Sequence, residues 1–284
     1  MSETGLILHC KGARLAGVLN RPDSADRQAV VFVVGGPQYR IGSHRLHVAL
    51  ARKLAENGIA SLRFDYRGVG DSEGTHPGFE AIEPDIAVAV DAMAAAGAEH
   101  VVLFGLCDAV PPICAYAALD SRIRAIVILN PWVREAASHE TVMLRRYYAQ
   151  RLLQADFWRN LIRGRAHLRD FAQTAARALR RRMSGKATAP AALAENRLLD
   201  RILSGLTGFE GAVLLIMSGR DLTAEEFQQE AGPNAHWQAI AARPGFARVD
   251  VAEADHTFSE GQTTAQLAQV LADWLRRDGA PPPT

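Results

Sequence analysis

The sequence predicts one large α/β domain with a mostly parallel sheet of about eight strands, flanked by helices and carrying a helical insertion. Along most of the 284 residues, short apolar runs alternate with helical patterns, which favours strands joined by helical crossovers. The run AVVFVV at 29–34 is apolar throughout, as expected of a strand buried on both faces. The strand pattern stops between 132 and 205, which predicts the insertion.

The predicted elements follow one another in a simple order. Segments 6–9 and 14–19 predict an opening antiparallel hairpin. The other predicted strands lie at 29–34, 59–64, 101–104, 123–129, 212–217 and 247–251. Helices are predicted at 47–57, 81–96, 113–119 and 262–276. The first of these helices is followed by Gly58, a residue type suited to a helix C-terminus.

The domain organisation follows from where strand patterns occur. We assign 1–131 and 206–278 to the α/β core, 132–205 to a helical Arg-rich cap, and 279–284 to a disordered tail. The cap segment holds 15 Lys and Arg against 6 Asp and Glu, although the whole chain has a net charge of only +1. Two interpretations stay open: solvated helix faces, or a lid that attracts an anionic substrate, a membrane surface or a polyanion. The whole chain gives no electrostatic reason to expect a nucleic-acid partner.

The sequence contains no signal for export and no metal-binding pattern. Its N-terminal segment lacks a basic stretch followed by an apolar one, and no apolar run approaches the roughly 18 residues of a membrane span. The three cysteines, Cys10, Cys107 and Cys114, lack metal-ligand spacing. We therefore expect a cytoplasmic protein with no metal and no cofactor.

Segment 105–109 (GLCDA) directly follows a predicted strand and precedes a predicted helix. It matches the pattern G-x-S-x-G of a sharp strand-to-helix turn that exposes a nucleophile, with Cys107 in place of Ser and Ala109 in place of the second Gly. Small residues are needed on both sides because the backbone is crowded there. Taken alone, the pentapeptide favours an inert, buried cysteine.

Two later segments supply partners for Cys107. Asp221 follows the predicted strand at 212–217, and His256 follows the one at 247–251. Nucleophile, acid and histidine in this chain order, each just after a strand, form a known arrangement of a catalytic triad. The sequence therefore predicts a triad of Cys107, His256 and Asp221.

The predicted triad is chemically coherent. His256 can take the thiol proton of Cys107 and later return a proton to the leaving group, while Asp221 orients the imidazole. Asp255 is an alternative orienting acid, but we expect it to point elsewhere because it immediately precedes His256. A carboxylate at Asp108 would disfavour the thiolate unless it faces away.

The loop after the strand at 29–34 is either a simple strand-end turn or part of an oxyanion hole. The backbone N–H of Asp108 is the expected first donor to an oxyanion. Gly36 is the expected second donor, with Gln38 as the alternative, because Pro37 has no N–H. Candidate substrate contacts in and beyond this loop are Tyr39, Arg40 and His44.

Together these motifs resemble the α/β-hydrolase superfamily over nearly the whole chain. VGGPQ is similar to its oxyanion loop, FDYRGVGDSEG to a loop after one of its strands, and ADHTF to the histidine loop of dienelactone-hydrolase-like and serine-aminopeptidase-like members. GGPQYRIGSHR, RFDYRGVGDSEG, GLCDA, LNPWVR and YYAQRLLQADFWR in combination resemble the exosortase A system-associated hydrolase 1 family. That resemblance implies the α/β-hydrolase fold, a cytoplasmic bacterial enzyme and a role in polysaccharide-related metabolism, but no substrate. Pro111 and Pro112, close behind the nucleophile turn, depart from the pattern.

The functional prediction is cleavage or transfer of an acyl group, from an ester or a thioester, through an acyl-cysteine intermediate. The expected partner is a small-molecule or acyl-carrier substrate of anionic character, and contact with a membrane surface is the weaker expectation. The alternative is a catalytically vestigial hydrolase-fold protein whose basic surface binds a partner or supports assembly.

Overall fold

A single eight-stranded sheet runs through the computed structural model, which describes residues 1–24, 27–36, 38–133 and 197–277. The strands are β1 Ser2–Cys10, β2 Ala13–Arg21, β3 Gln28–Val33, β4 Ala60–Phe64, β5 His100–Leu106, β6 Ile123–Leu129, β7 Ala212–Arg220 and β8 Phe246–Asp255. Their spatial order is β1-β2-β4-β3-β5-β6-β7-β8, and only β2 runs antiparallel to its neighbours. The carboxyl ends of the parallel strands therefore share one edge of the sheet.

Six of the described α-helices connect strands in the sequence, and the seventh follows the last strand. They are α1 Leu46–Glu56, α2 Glu83–Ala95, α3 Val110–Ala117, α4 Arg197–Gly208, α5 Leu222–Ala231, α6 Ala235–Ala241 and α7 Gly261–Arg277. Strands β1 and β2 form the predicted hairpin, closed by Lys11 and Gly12. Both turn residues have positive φ, +48° and +83°, the backbone of a tight turn that matches strand twist.

Two hydrophobic cores form because the sheet is buried on both faces. In β3, Val30 and Phe32 face one core while Val31 and Val33 face the other, and all four are fully buried. Helices α1 and α7 cover the first face, and α2, α3 and α4 cover the second. Each fully buried aliphatic or aromatic side chain contributes about 1.5–3 kcal/mol, so burial on both faces stabilises the sheet that positions the site.

The predicted mostly parallel sheet of eight strands flanked by helices is confirmed. Helices α5 and α6 follow the predicted acid position and were not predicted. Helix α4 spans the predicted cap boundary at 205, and its Ile202 and Leu206 are fully buried. Segment 134–196, which holds most of the predicted cap, and the predicted tail at 279–284 lie outside the described residues. Within the described ranges, no helix combines the length and apolar character needed to cross a bilayer.

Candidate active site

Cys107 occupies a sharp turn between β5 and α3. Its φ of +61° lies in the left-handed region, which residues with a side chain rarely adopt and which marks a strained position. The cysteine begins a short 3-10 turn, Cys107–Ala109, that leads directly into α3. It is therefore held at the carboxyl edge of the sheet, half-buried, where the predicted nucleophile turn would place it.

Small residues around this turn accommodate closely packed backbone. A Cβ on Gly105 would lie 2.7 Å from Cδ1 of Ile113 and 3.1 Å from the carbonyl oxygen of Ala109. Pro111 and Pro112 fall in the first turn of α3, where N–H groups have no partner within the helix. The two prolines are therefore compatible with the turn.

Asp221 and His256 come directly after β7 and β8, at the same edge of the sheet as Cys107. Nδ1 of His256 lies 2.7 Å from Oδ2 of Asp221, within hydrogen-bonding distance. The carboxylate of Asp221 also accepts the backbone N–H groups of Thr223 and Ala224, so it caps the N-terminus of α5. These bonds fix the position of a carboxylate whose side chain is only 5% exposed, and the carboxylate in turn orients the imidazole of His256. The side chain of His256 itself is 32% exposed.

Asp255 hydrogen-bonds to its own loop, whereas Asp221 hydrogen-bonds to His256. Its Oδ1 accepts the backbone N–H groups of Thr257 and Ser259, and its Oδ2 hydrogen-bonds to the hydroxyl of Ser259. These bonds shape the loop that carries His256 and lower the pKa of Asp255, although its partial burial acts in the opposite direction. Asp255 therefore turns away from the imidazole, as expected.

The thiol of Cys107 and the imidazole of His256 are not hydrogen-bonded to each other in the described part of the chain. Burial raises the pKa of the Cys107 thiol well above its usual range, and the nearby carboxylates of Asp108 and Asp221 add to the rise. The adjacent backbone N–H of Asp108 acts in the opposite direction. The structure brings acid and histidine together and places the cysteine at the same edge of the sheet.

Asp108 does not face away from the turn into solvent. The residue is only 7% exposed, and its Oδ1 has no hydrogen-bond partner among the described residues. A Cβ on Gly35 would lie 2.3 Å from that oxygen, so the carboxyl group packs against the glycine-rich loop after β3. The condition under which Asp108 would not oppose the thiolate, a carboxyl group facing away from the turn, is therefore not met, because the absence of a side chain at Gly35 leaves space for the carboxyl group.

The loop after β3 is held by polar contacts of its own side chains. The side-chain oxygen of Gln38 accepts the backbone N–H of Ser43 at 3.1 Å. The guanidinium of Arg40 forms ion pairs with the buried Asp65 and, at 2.6 Å, with Asp71. Arg40 therefore cross-links this loop to the loop after β4.

Of the other predicted residues in this region, Gly36 has a φ of +59° and open space where a Cβ would lie. Tyr39 is 43% exposed, and His44 is half-buried with a φ of +51°. Both side chains are thus accessible in part, and Pro37 lies outside the described residues.

Asn130 lies at the same edge of the sheet, and the sequence motifs did not predict a role for it. It follows β6, has a φ of +43° and is fully buried. Its Nδ2 donates to Oγ of Ser218 at 2.7 Å and to the carbonyl oxygen of His256 at 3.0 Å, while its Oδ1 accepts the N–H of Ser218. Asn130 thereby joins β6 and β7 to the histidine loop. The available signal was its position directly after a predicted strand, as for Cys107.

Two structural observations delimit the site. The described residues contain no cluster of three or more His, Cys, Asp or Glu placed to hold a metal ion. A surface depression of about 860 Å³ lies at the opposite edge of the sheet, beside the amino ends of β6, β7 and β8. None of Cys107, Asp221 and His256 lines it, so this depression is separate from the candidate site.

Comparisons with known proteins agree with this architecture. The sequence model of the family described as alpha/beta hydrolase fold matches residues 28–199. Among solved structures, the Pyrococcus furiosus esterase Pf2001 has a TM-score of 0.67 at 14% identity, with 98% of this chain and 94% of that chain covered. Est1E from Butyrivibrio proteoclasticus, solved with ferulic acid bound, has a TM-score of 0.61 at 13% identity, with 97% and 100% covered. At these identities the likeness shows the fold alone. No curated protein is similar enough in sequence to count as a relative.

Proposed function

Because the chain belongs to the alpha/beta hydrolase fold family, we propose that it cleaves or transfers an acyl group, from an ester or a thioester, through an acyl-cysteine on Cys107. The observation that carries the proposal is the strained turn at Cys107, at the same sheet edge as the hydrogen-bonded pair of His256 and Asp221. A strained backbone at a strand-to-helix turn is the geometry that presents a nucleophile above a parallel sheet.

The first half-reaction transfers the acyl group to sulfur. Sγ of Cys107 attacks the acyl carbon while Nε2 of His256 takes the thiol proton, so that a C–S bond forms and the carbonyl electron pair moves onto oxygen. The backbone N–H groups of Asp108 and Gly36 stabilise this oxyanion. When the bond to the leaving group breaks, His256 gives its proton to the departing oxygen or sulfur.

The second half-reaction frees the enzyme. Water, or the hydroxyl of an acceptor, gives a proton to His256 and attacks the acyl-cysteine. The C–S bond then breaks, the sulfur recovers the proton, and the acid or the transferred ester leaves. Asp221 stabilises the imidazolium that forms in each half, because its carboxylate lies 2.7 Å from Nδ1 of His256.

Two finer parts of the proposal rest on the sequence. The excess of Lys and Arg in segment 132–205 supports an anionic acyl donor or acceptor, since unlike charges raise the local substrate concentration. The motif resemblance described above supports a role in exopolysaccharide-linked metabolism of a bacterium. Both parts concern which substrate reaches Cys107 and leave the order of chemical steps unchanged.

The test is detection of the acyl-enzyme by intact mass. The protein is incubated with p-nitrophenyl acetate, p-nitrophenyl butyrate, acetyl-CoA and succinyl-CoA, and peptide mapping locates any adduct. We expect an increase equal to one acyl group on Cys107, absent from Cys107→Ala and present in Cys10→Ala, whose cysteine is buried at the end of β1. An adduct that survives Cys107→Ala would remove this cysteine from the mechanism.

A second candidate function is a binding protein that has kept the hydrolase fold without its activity. Two observations favour it: the raised pKa of Cys107, caused mainly by burial, and the lack of a hydrogen bond between its thiol and His256 among the described residues. Hydrogen bonds of a catalytic site often tighten only when substrate binds, so these observations do not exclude catalysis. The binding protein would form no adduct with any of the four acyl donors.

A further inference from the structure

Asp65 is a buried carboxylate that binds the backbone of the loop after β3. It directly follows β4, and its side chain is not exposed to solvent. Its Oδ1 accepts the backbone N–H of Arg40 at 2.5 Å, and its Oδ2 accepts the guanidinium of the same residue. Oδ2 also accepts the N–H of Asp71 at 3.1 Å. One charged side chain therefore joins the backbones of two loops, and the guanidinium of Arg40 compensates its charge.

The two loops approach each other so closely at Gly70 that no side chain fits there. Its φ is +54°, and a Cβ would lie 2.3 Å from Oδ2 of Asp65 and 2.9 Å from Cβ of Tyr39. The loop after β4 is held in turn by α2, because Arg67 donates its backbone N–H and its guanidinium to the fully buried Asp85. Asp65 therefore connects the loop after β3 to a loop that is itself fixed to the core.

The segment that carries the candidate oxyanion donors is held at both of its ends. At one end, Gly35 packs against the nucleophile turn, where a Cβ would lie 2.6 Å from a backbone carbonyl oxygen. At the other end, the N–H of Arg40 is bound to Asp65. Gly36 and Gln38, the two candidate donors, lie between these points. An N–H group held in this way is oriented before charge develops on the substrate, which is what stabilisation of an oxyanion requires.

The guanidinium of Arg40 already has two anionic partners. It forms ion pairs with Asp65 and Asp71, and the side chain of Arg40 is only 19% exposed. The sequence made Arg40 a candidate substrate contact. A cation attracts an anionic substrate only where its charge is not already compensated, so these ion pairs leave Arg40 little attraction for one.

We infer that Asp65 and Arg40 are positioning residues for the oxyanion donors of the loop after β3, and that Arg40 does not bind the substrate. Neither side chain takes part in bond making or breaking. This inference rests on the proposed role of Cys107 as nucleophile, because the oxyanion forms on the acyl group that Cys107 attacks. Weakening the contact between Asp65 and Arg40 should slow acyl transfer and leave substrate binding unchanged.

Hydrogen exchange measures the holding of the loop without any substrate. Peptides that cover 34–45 are followed by mass spectrometry in the parent, in Asp65→Asn and in Arg40→Gln. We expect their amides to exchange about tenfold faster or more in Asp65→Asn, while the peptide that covers β5 keeps the parent's rate. Arg40→Gln breaks the same ion pair from its partly exposed side, so the inference stays testable if Asp65→Asn does not fold.

Glu73→Gln is the matched control. It removes a carboxylate from the same loop as Asp65, but this side chain is 46% exposed and pairs with Arg14 on β2 instead of with the loop after β3. We expect the exchange of 34–45 to coincide with that of the parent, since an exposed ion pair contributes little. Unchanged exchange of this segment in both Asp65→Asn and Arg40→Gln would overturn the inference.

Steady-state kinetics separate positioning from substrate binding. In Asp65→Asn and Arg40→Gln, kcat should fall about tenfold or more with little change in KM, because the donors are displaced. The fall should be the same for p-nitrophenyl butyrate, a neutral ester, and for succinyl-CoA, an anionic thioester. A rise in KM confined to succinyl-CoA in Arg40→Gln would assign Arg40 to substrate binding and overturn the inference. Unchanged kcat in both variants, despite faster exchange, would also overturn it.

Acylation of Cys107 in the parent protein distinguishes this inference from the proposed function. Acylation of Cys107 at a rate unaffected by Asp65→Asn and Arg40→Gln would overturn only the positioning role. Faster exchange in the variants, with no acylation of Cys107 by any donor, would overturn the proposed function and the positioning role that rests on it. The holding of the loop by Asp65 would then remain as a structural feature alone.

Discussion

Gly35 is the residue at which the loop after β3 comes closest to the nucleophile turn. A Cβ there would lie 2.3 Å from Oδ1 of Asp108 and 2.6 Å from the carbonyl oxygen of Leu106. The second contact is with backbone, which cannot rotate away as a flexible side chain can. Glycine at this position therefore lets the loop after β3 pack against the turn that carries Cys107.

We expect Gly35→Ala to separate the loop from the turn. The added methyl group should destabilise the fold by about 1–3 kcal/mol, as overpacking does. It should also lower kcat by about 10²-fold or more, because one of the two oxyanion donors is displaced. Urea unfolding and turnover of an ester accepted by the parent protein measure the two effects. Gly5→Ala is the control, since a Cβ at Gly5 meets no atom within 4 Å; equal losses in both variants would contradict the argument.

At the scale of elements, the site depends on the loops that follow four parallel strands. Cys107 follows β5, Asn130 follows β6, Asp221 follows β7 and His256 follows β8. Asn130 is the only one of these four whose side chain hydrogen-bonds both to β7 and to the backbone of the histidine loop. The height of the imidazole above the sheet is therefore set through an amide that does not itself react.

Replacing Asn130 should move the imidazole of His256 without removing a reacting group. Asn130→Gly tolerates the positive φ at this position and deletes all three side-chain hydrogen bonds. We expect kcat to fall by about tenfold or more with little change in KM, because small displacements of a catalytic group reduce the rate strongly. Steady-state kinetics on an ester turned over by the parent protein measure the split.

Ser218→Ala is the control for this prediction. It removes the hydroxyl that accepts from Asn130 but leaves the bond from Asn130 to the carbonyl oxygen of His256. We expect kcat to change by less than about threefold, since only a neutral hydrogen bond to β7 is lost. Equal losses of kcat in the two variants would show that Asn130 acts on the sheet rather than on the histidine loop.

The sequence was most informative where one physical signal acted alone. Strand β6 was predicted at the bounds that it has in the structure. Six of its seven residues are apolar, and the same six are buried, as the sequence pattern of a buried strand predicts. Helices α5 and α6 were missed because they are short and mixed in polarity; their starts depend on caps at Asp221 and Asn234. From the sequence, Asp221 was interpreted only as the acid of the triad, so its role as the N-cap of α5 was not predicted. The same side chain serves both purposes.

The candidate site divides in a similar way. The positions of Cys107, Asp221 and His256 could be predicted because each follows a recognisable strand in one chain order. The inward position of Asp108 could not, since it depends on the close approach of Gly35, a contact between segments more than seventy residues apart. The role of Asn130 was not predicted for the same reason, because its three side-chain hydrogen bonds join it to Ser218 on β7 and to His256 on the histidine loop.

At the scale of the whole molecule, one of the two cores contains a histidine whose burial opposes its protonation. The core under α1 and α7 contains His47, a fully buried histidine stacked on Phe32, with ring centroids 5.3 Å apart, and edge-on to Phe104. Neither ring nitrogen has a hydrogen-bond partner among the described residues. Burial, aided by the nearby charge of Arg63, lowers the pKa of His47 to about 3. The folded protein therefore keeps this ring neutral over most of the acidic range.

This histidine should make folding stability depend on pH well before the carboxylates do. Below its ordinary pKa near 6.5, the unfolded chain binds a proton at His47 that the folded chain refuses, so stability falls as pH falls. The loss between pH 6.5 and pH 5 should be about 1.6 kcal/mol. Asp120, whose pKa is lowered to about 2 mainly by Arg122, contributes stability that is lost only below about pH 4. Between pH 6.5 and pH 5, the loss of stability expected from His47 therefore precedes that expected from Asp120.

Guanidinium unfolding at several pH values in that interval tests this account. The parent protein should lose stability steadily, whereas His47→Leu, which cannot bind a proton, should give a nearly flat profile whatever its absolute stability. His236→Gln removes an exposed histidine and should keep the parent's slope. A slope in His47→Leu equal to the parent's would mean that other groups bind the proton. Because only the slope is compared, a cavity left by leucine beside Phe32 and Phe104 cannot mimic the expected result.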